Sequence, residues 1–206
     1  RRQLNIIQEA LAKLKSHPFD LVLILGDLTE NKKYLHAVFE LLREVNAPYG
    51  KFLVMGNHDY EGGRFHFIEQ LAREFSVTLL NNKTFYVDQL NVTLFGTENP
   101  WRKTAFSPCL SGFSIGLSHT PDNIKYFSRH NIPLAFAGHT HGGKIKIPLL
   151  GAFLVPSMYG RFLNHGWFQY GETSMFITKG FGHFPGISGQ KGEILKLTIS
   201  QKKAER

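Results

Sequence analysis

Leu134-Ala135-Phe136-Ala137-Gly138-His139-Thr140-His141-Gly142-Gly143 runs four apolar residues into a glycine, two histidines one residue apart, and two more glycines. A short apolar run bounded by turn residues suits a strand buried on both faces of a parallel sheet. Three other runs have the same form. Phe113 to Leu117 leads into Ser118-His119, Phe52-Leu53-Val54-Met55 into Gly56-Asn57-His58-Asp59, and Leu21-Val22-Leu23-Ile24-Leu25 into Gly26-Asp27. Parallel strands end on one edge of their sheet, and ligands bind beyond their carboxyl ends. Asp27, Asn57, His119, His139 and His141 are therefore expected to converge. A carboxylate, an amide oxygen and three imidazoles form a site for a transition-metal ion.

Outward from these runs the chain alternates strand and helix, which is the α/β pattern. Leu4, Ile7, Leu11 and Leu14 recur at helical spacing, and His17-Pro18 ends that helix because the residue before proline resists the helical region. A second helix fits 33–45, with Leu35, Val38, Phe39 and Leu42 on one face. A third fits 64–75 after the Gly62-Gly63 break. Residues 84–88 and 92–97 read as two strands joined near Gln89 and Asn91. Thr120-Pro121 reads as a cap residue followed by proline at the first helical position, opening a short helix to Arg129. From Gly142 to Gly171 the chain reads as a long apolar loop. Strands at 175–178 and 193–200 close it, the last from the alternation of Leu195, Leu197 and Ile199 with Lys196, Thr198 and Ser200.

The 206 residues suit one domain with a real core and carry a formal charge of +8, which favours anionic partners. The basic residues are spread along the chain, not blocked. No run of roughly 18 apolar residues and no secretory signal at Arg1 is present in the sequence. Cys109 is the one cysteine, so no internal disulfide forms and a Cys-pair zinc site is excluded. The expected location is the cytoplasm, with peripheral contact to an anionic inner membrane face.

Gly26-Asp27-Leu28-Thr29-Glu30, Gly56-Asn57-His58-Asp59, Ser118-His119-Thr120-Pro121-Asp122 and Gly138-His139-Thr140-His141-Gly142-Gly143 together resemble the motifs of the calcineurin-like metallophosphoesterases, in the family's order. The resemblance covers roughly residues 1 to 200. It implies a four-layer αββα sandwich, two facing mixed β-sheets flanked by helices, with two divalent ions at the strand ends. By that resemblance Asp27 bridges both ions. Asn57, His119 and His139 complete the second ion's shell, and His141 reaches the first. His58 is similar to the family's non-ligand histidine, which contacts a phosphoryl oxygen or the leaving group, with Asp59 holding its ring. The implied reaction is phosphoester or pyrophosphate hydrolysis by metal-bound hydroxide. Nitrogen and oxygen donors without thiolate point to Mn²⁺ first, with Fe or Zn²⁺ as alternatives.

The family opens with an Asp-x-His motif on a strand ahead of the first helix, and this sequence shows none. Residues 1–206 are thus read as a single domain lacking that strand, either because the sequence is a shortened form or through loss of the first metal site. The segment from Trp101 to Ser118 also reads as short for the family. Lys144 to Gly171 is apolar and aromatic, with Arg161 and Lys144 adding charge. Most of it is expected to pack on the sheet; the sharper reading is a channel for acyl chains. Gly142-Gly143-Lys144-Ile145, Pro148, Pro156 and Lys179-Gly180-Phe181-Gly182 resemble a membrane-associated branch that includes a UDP-2,3-diacylglucosamine pyrophosphatase. That substrate, split to UMP and a lipid sugar 1-phosphate in lipid A synthesis, is the specific expectation. The rivals are a nucleotide phosphodiesterase or exonuclease with the same metal core, and a non-catalytic scaffold. Nucleic acid is not expected as a partner, because the aromatics are not interleaved with Lys and Arg. His17, His36, His66, His130 and His165 receive no role; His183 is a candidate for lining the site, and Glu30 for capping the second helix.

Overall fold

The computed structural model describes residues 18–29, 31–98, 107–142, 163–181 and 192–200, the positions 5, 7–9, 12, 14 and 157, and the backbone of 145–147 and 151–154. Strands β1 (Val22–Ile24), β2 (Lys51–Leu53) and β3 (Val77–Leu79) form a parallel sheet in that order. The remaining strands are β4 (Lys83–Val87), β5 (Val92–Gly96), β6 (Phe113–Leu117), β7 (Leu134–Ala137), β8 (Ile145–Ile147), β9 (Gly151–Leu154), β10 (Gly166–Tyr170) and β11 (Thr173–Ile177). Six of them make a second sheet in the order β10-β11-β7-β6-β5-β4, while β8 and β9 pair as a hairpin. Its four inner strands are parallel; β4 and β10 run antiparallel at the edges.

The layers follow from alternation along the strands. On and just beyond β2, Leu53 and Met55 pack with Leu35, Val38 and Phe39 of one helix (Leu35–Arg43) and Ile68 and Leu71 of another (Arg64–Glu74). Phe52 and Val54 point the other way, against Leu94, Leu117 and Phe136 of the second sheet. The far face of that sheet buries Phe95, Ala135, Ala137 and Ile177 against Ile124 and Phe127 of helix Ile124–Arg129. Helix, sheet, sheet, helix is the expected sandwich. Residues 35, 38, 39 and 42 repeat at i, i+3, i+4, i+7, so one stripe of the first helix faces the core. Each such Leu, Val or Phe contributes about 1.5–3 kcal/mol.

Several expectations need correction. The three-stranded sheet is parallel, not mixed. Leu21 to Leu25 were expected to be buried on both faces, yet all are half-buried, because β1 is an edge strand beside a cleft of about 1200 Å³. Residues 193–200 form no strand: Leu195, Leu197 and Ile199 alternate as in one but line the same cleft without a sheet partner. β3 was not foreseen, nor were β8, β9 and β10 within the apolar loop; a three-residue strand offers too little pattern to read. Phe168 of β10 does pack on the second sheet, while Trp167 is exposed. Thr120 takes the cap position ahead of Pro121, but its hydroxyl makes no capping bond and is buried without a partner. Glu30, His17, His183, Lys144, Arg161 and residues 148–150, 155–156 and 158–162 lie outside the described residues.

Candidate metal centre

Four strands of the two sheets deliver the candidate ligands. β1 ends at Gly26-Asp27, β2 at Gly56-Asn57, β6 at Ser118-His119 and β7 at Gly138-His139-Thr140-His141. Gly26 and Gly56 let the first two ends touch. A Cβ on Gly56 would fall on the Asp27 carboxylate, and one on Gly26 would strike the backbone of Gly56. Asp27, His139 and His141 all hold positive φ, at 51°, 70° and 49°. Left-handed backbone at a non-glycine costs of order 1–3 kcal/mol and clusters at functional sites. Here it falls on three candidate ligands just beyond the strand ends.

His119 is the centre of the group and is 3% exposed. Its Nδ1 lies 2.6 Å from the Leu25 carbonyl, which takes the proton of that nitrogen. Nε2 then carries its lone pair into the site. It lies 3.1 Å from Asp27 Oδ2, 3.2 Å from Asn57 Oδ1 and 3.0 Å from His139 Nδ1. Asp27, His119 and His139 offer donor atoms all within 4.8 Å of one another. Four electron-pair donors facing one point repel one another unless a positive charge sits among them. Donors on adjacent corners of a shell with bonds of about 2.0–2.2 Å stand about 3 Å apart, so this set fits a divalent ion. Its N₂O₂ composition suits Mn²⁺, Fe²⁺ or Zn²⁺.

The titration of the group repeats the point. Burial opposes charge on His119, but the Asp27 carboxylate and the Leu25 carbonyl outweigh it and hold its pKa above the ordinary 6.5. His139 is pushed down to about 4, by burial first and then by the charge on His119. Burial pushes the Asp27 carboxyl up, yet His119 and His58 more than offset this and keep it low. The pocket therefore stabilises one positive charge at its middle. In the metal-free protein a proton on His119 can supply it at low pH. Below its raised pKa that imidazole is charged, and a metal needs it neutral, so affinity must fall as the pH falls through that pKa. Below that raised pKa, Mn²⁺ binding is expected to release a proton from His119. Titration calorimetry in buffers of different ionisation enthalpy checks this: a heat independent of the buffer would contradict it.

His141 stands apart from the four. It lines the same cleft, but its Nδ1 faces the Lys179 carbonyl at 3.2 Å. That contact sets the Nδ1–H tautomer and leaves Nε2 as the donor. Thr140, between the two histidines, turns into the core and donates to the Asn164 carbonyl at 2.5 Å.

The two residues read as catalytic are arranged differently from expectation. Asp59 does not hold the His58 ring. Its carboxylate is 0% exposed and accepts the backbone N–H groups of Asp27 (2.7 Å), Gly56 (2.8 Å) and Leu28 (3.3 Å). It fastens the turns after β1 and β2 together. The His58 ring instead meets Glu61, with Nδ1 3.0 Å from Oε1, while the His58 N–H donates to Asp27 Oδ1 at 2.9 Å. Arg64 anchors this arrangement by donating to the Thr29 carbonyl, the Glu61 carbonyl and Glu61 Oε2. Sequence reasoning missed Glu61 and Arg64. Their spacing of three and six residues from His58, across the Gly62-Gly63 break, was the available signal.

Donors from the ends of two facing sheets, gathered on one point, define a metal-binding α/β protein. The chain belongs to the calcineurin-like phosphoesterase family, whose profile matches residues 1–143. It is 33% identical over 177 residues to the metallophosphoesterase YkuE of Bacillus subtilis, covering 79% of this chain and 61% of that protein. It is 28% identical over 195 residues to the phosphodiesterase YaeI of Escherichia coli, covering 89% and 71%. A third relative, the metallophosphoesterase Cj0846 of Campylobacter jejuni, is 29% identical over 213 residues, 97% of this chain and 55% of that one. The chain thus spans about 55–61% of YkuE and Cj0846. In fold it is similar to TT1561 of Thermus thermophilus, with a TM-score of 0.54 at 11% identity over 84% of this chain and 83% of that one.

Proposed function

We propose that this chain is the catalytic part of a metal-dependent phosphodiester or pyrophosphate hydrolase. The carrying observation is the set of four electron-pair donors made by His119 Nε2 and the three groups around it. Asp27, Asn57, His119 and His139 would hold one divalent ion. Asp27 and His141 would hold the second. Such a pair of ions, when bound, supplies a nucleophile at neutral pH and charge to offset the phosphoryl oxygens.

The chain's own residues do the rest. His58 faces the cleft beside Asn57, and Glu61 holds its Nδ1, which leaves Nε2 for a phosphoryl oxygen or the leaving group. Asp59 keeps the Asp27 and Gly56 turns at their close approach. The substrate we favour is a lipid-linked phosphate, with UDP-2,3-diacylglucosamine as the specific case. The exposed Trp167, the apolar sequence of 145–168 and the basic charge support that reading, together with peripheral contact to an anionic membrane. Among the described residues no helix is long and apolar enough to cross a membrane. The match to a protein named phosphodiesterase favours, as second reading, a general nucleotide phosphodiesterase.

Full-length protein with Mn²⁺ should be assayed on bis(p-nitrophenyl) phosphate, single-stranded DNA and diacylated sugar nucleotide. The expected result is turnover of the first and third, with kcat reduced about 10²–10⁴-fold in His58→Ala. Turnover no higher than that of His58→Ala would instead mark a scaffold, and cleavage of DNA alone would mark a nuclease.

A further inference from the structure

Glu193 stands opposite the turn after β11 and belongs to none of the motifs. One of its carboxylate oxygens, Oε2, accepts both the Thr178 hydroxyl at 2.8 Å and the Lys179 N–H at 2.9 Å. The other, Oε1, lies 2.9 Å from His165 Nε2. Its own N–H donates to the Gly180 carbonyl at 2.9 Å, and the Gly180 N–H donates to Thr178 Oγ1 at 3.1 Å. Glu193 thereby holds three polar groups of the 178–180 turn: the Thr178 hydroxyl, the Lys179 N–H and the Gly180 carbonyl.

That turn touches the metal centre twice. The Thr178 N–H donates to the Ala137 carbonyl at 2.8 Å, at the end of β7 just before Gly138-His139. The Lys179 carbonyl faces His141 Nδ1 at 3.2 Å. A carbonyl in that place selects the Nδ1–H tautomer, in which Nε2 carries the lone pair. The bond would be lost if the peptide between Lys179 and Gly180 rotated. The Gly180 N–H of that same peptide donates to Thr178 Oγ1, which Glu193 Oε2 holds in place, and this bond restrains the rotation.

We infer that Glu193 is a positioning residue for the metal centre: with His165 and Thr178 it clamps the 178–180 turn so that the Lys179 carbonyl orients His141. This rests on reading His141 as a metal ligand, and it assigns a role to His165. It also explains why residues around 193 stay close to the site although they pair with no strand.

The test uses the full-length protein and has two readouts. In metal-free protein, ¹⁵N shifts of the His141 ring report its tautomer. Equilibrium dialysis with Mn²⁺ alone reports stoichiometry and affinity. In wild type a single Nδ1–H tautomer is expected. Glu193→Ala should give a mixture and weaken the His141-dependent Mn²⁺ ion about 10–100-fold, leaving the ion at His119 bound. Glu193→Gln, which keeps an acceptor for the turn, should restore most of both. Thr178→Val removes only one of the two donors and should shift both readouts in the same direction but less; it decides the matter if Glu193→Ala does not fold. A pure Nδ1–H tautomer with wild-type Mn²⁺ binding in Glu193→Ala, or in Thr178→Val should that be the variant studied, overturns the clamp. A protein that hydrolyses no phosphodiester would refute the proposed function, yet the tautomer measurement would still judge the clamp.

Discussion

Asp27→Asn should abolish Mn²⁺ binding at the His119 group and lower kcat/KM by about 10³-fold or more. Asparagine matches aspartate in size and can still accept the His58 N–H that now reaches Oδ1 at 2.9 Å. What it removes is the one negative charge among the four donors. Unit charges about 4 Å apart at an effective dielectric near 20 interact by about 4 kcal/mol, and a divalent ion feels more. That exceeds the roughly 4.1 kcal/mol needed for a thousandfold loss only if the ion sits beside the carboxylate. The same change takes away the partner that holds the His119 pKa up. Equilibrium dialysis and a phosphodiesterase assay measure the outcome, with circular dichroism to show that the fold survives. Retained Mn²⁺ and activity within tenfold of wild type would remove Asp27 from the centre, and the proposed function with it.

Asp59→Ala should behave quite differently from His58→Ala. Asp59 is fully buried and its carboxylate receives three backbone N–H groups from the turns carrying Asp27 and Asn57. Alanine leaves those donors buried and unsatisfied, at about 1–3 kcal/mol each before relaxation. A net destabilisation of about 2–5 kcal/mol is expected, together with loss of metal, because the left-handed Asp27 backbone loses its fastening. His58→Ala exposes no buried group, since the His58 ring is half exposed, and should leave the unfolding free energy within about 0.5 kcal/mol of wild type. Urea unfolding followed by dialysis separates the two. Were Asp59→Ala to unfold like wild type and lose only rate, the carboxylate would belong to the chemistry of His58 after all.

The motifs were legible because each depends on local sequence. An apolar run, a turn glycine and a ligand residue are neighbours in the chain, and the strand and its end need nothing distant to be recognised. Four of the five candidate side chains converge as the strand-end argument requires. His141 does not join them, since its ring is governed by the Lys179 carbonyl, 38 positions away. The resemblance gives Asp59 to its neighbour His58; its partners Asp27 and Leu28 lie 32 and 31 residues off, beyond what local sequence displays. Glu193 and His165 carried no motif and could not be seen at all. The alternation at 193–200 was real, but alternation promises a strand only where a neighbour supplies hydrogen bonds.

The amino-acid sequence alone determined the α/β class, the order of the strands that end in ligands, and the donor chemistry, because side-chain type and period act over a few residues. Tertiary structure decided which donors face one point, which carboxylate locks which turn, and which edges stay open. Those outcomes turn on hydrogen bonds between segments tens of residues apart, whose geometry is fixed only when both sheets have packed.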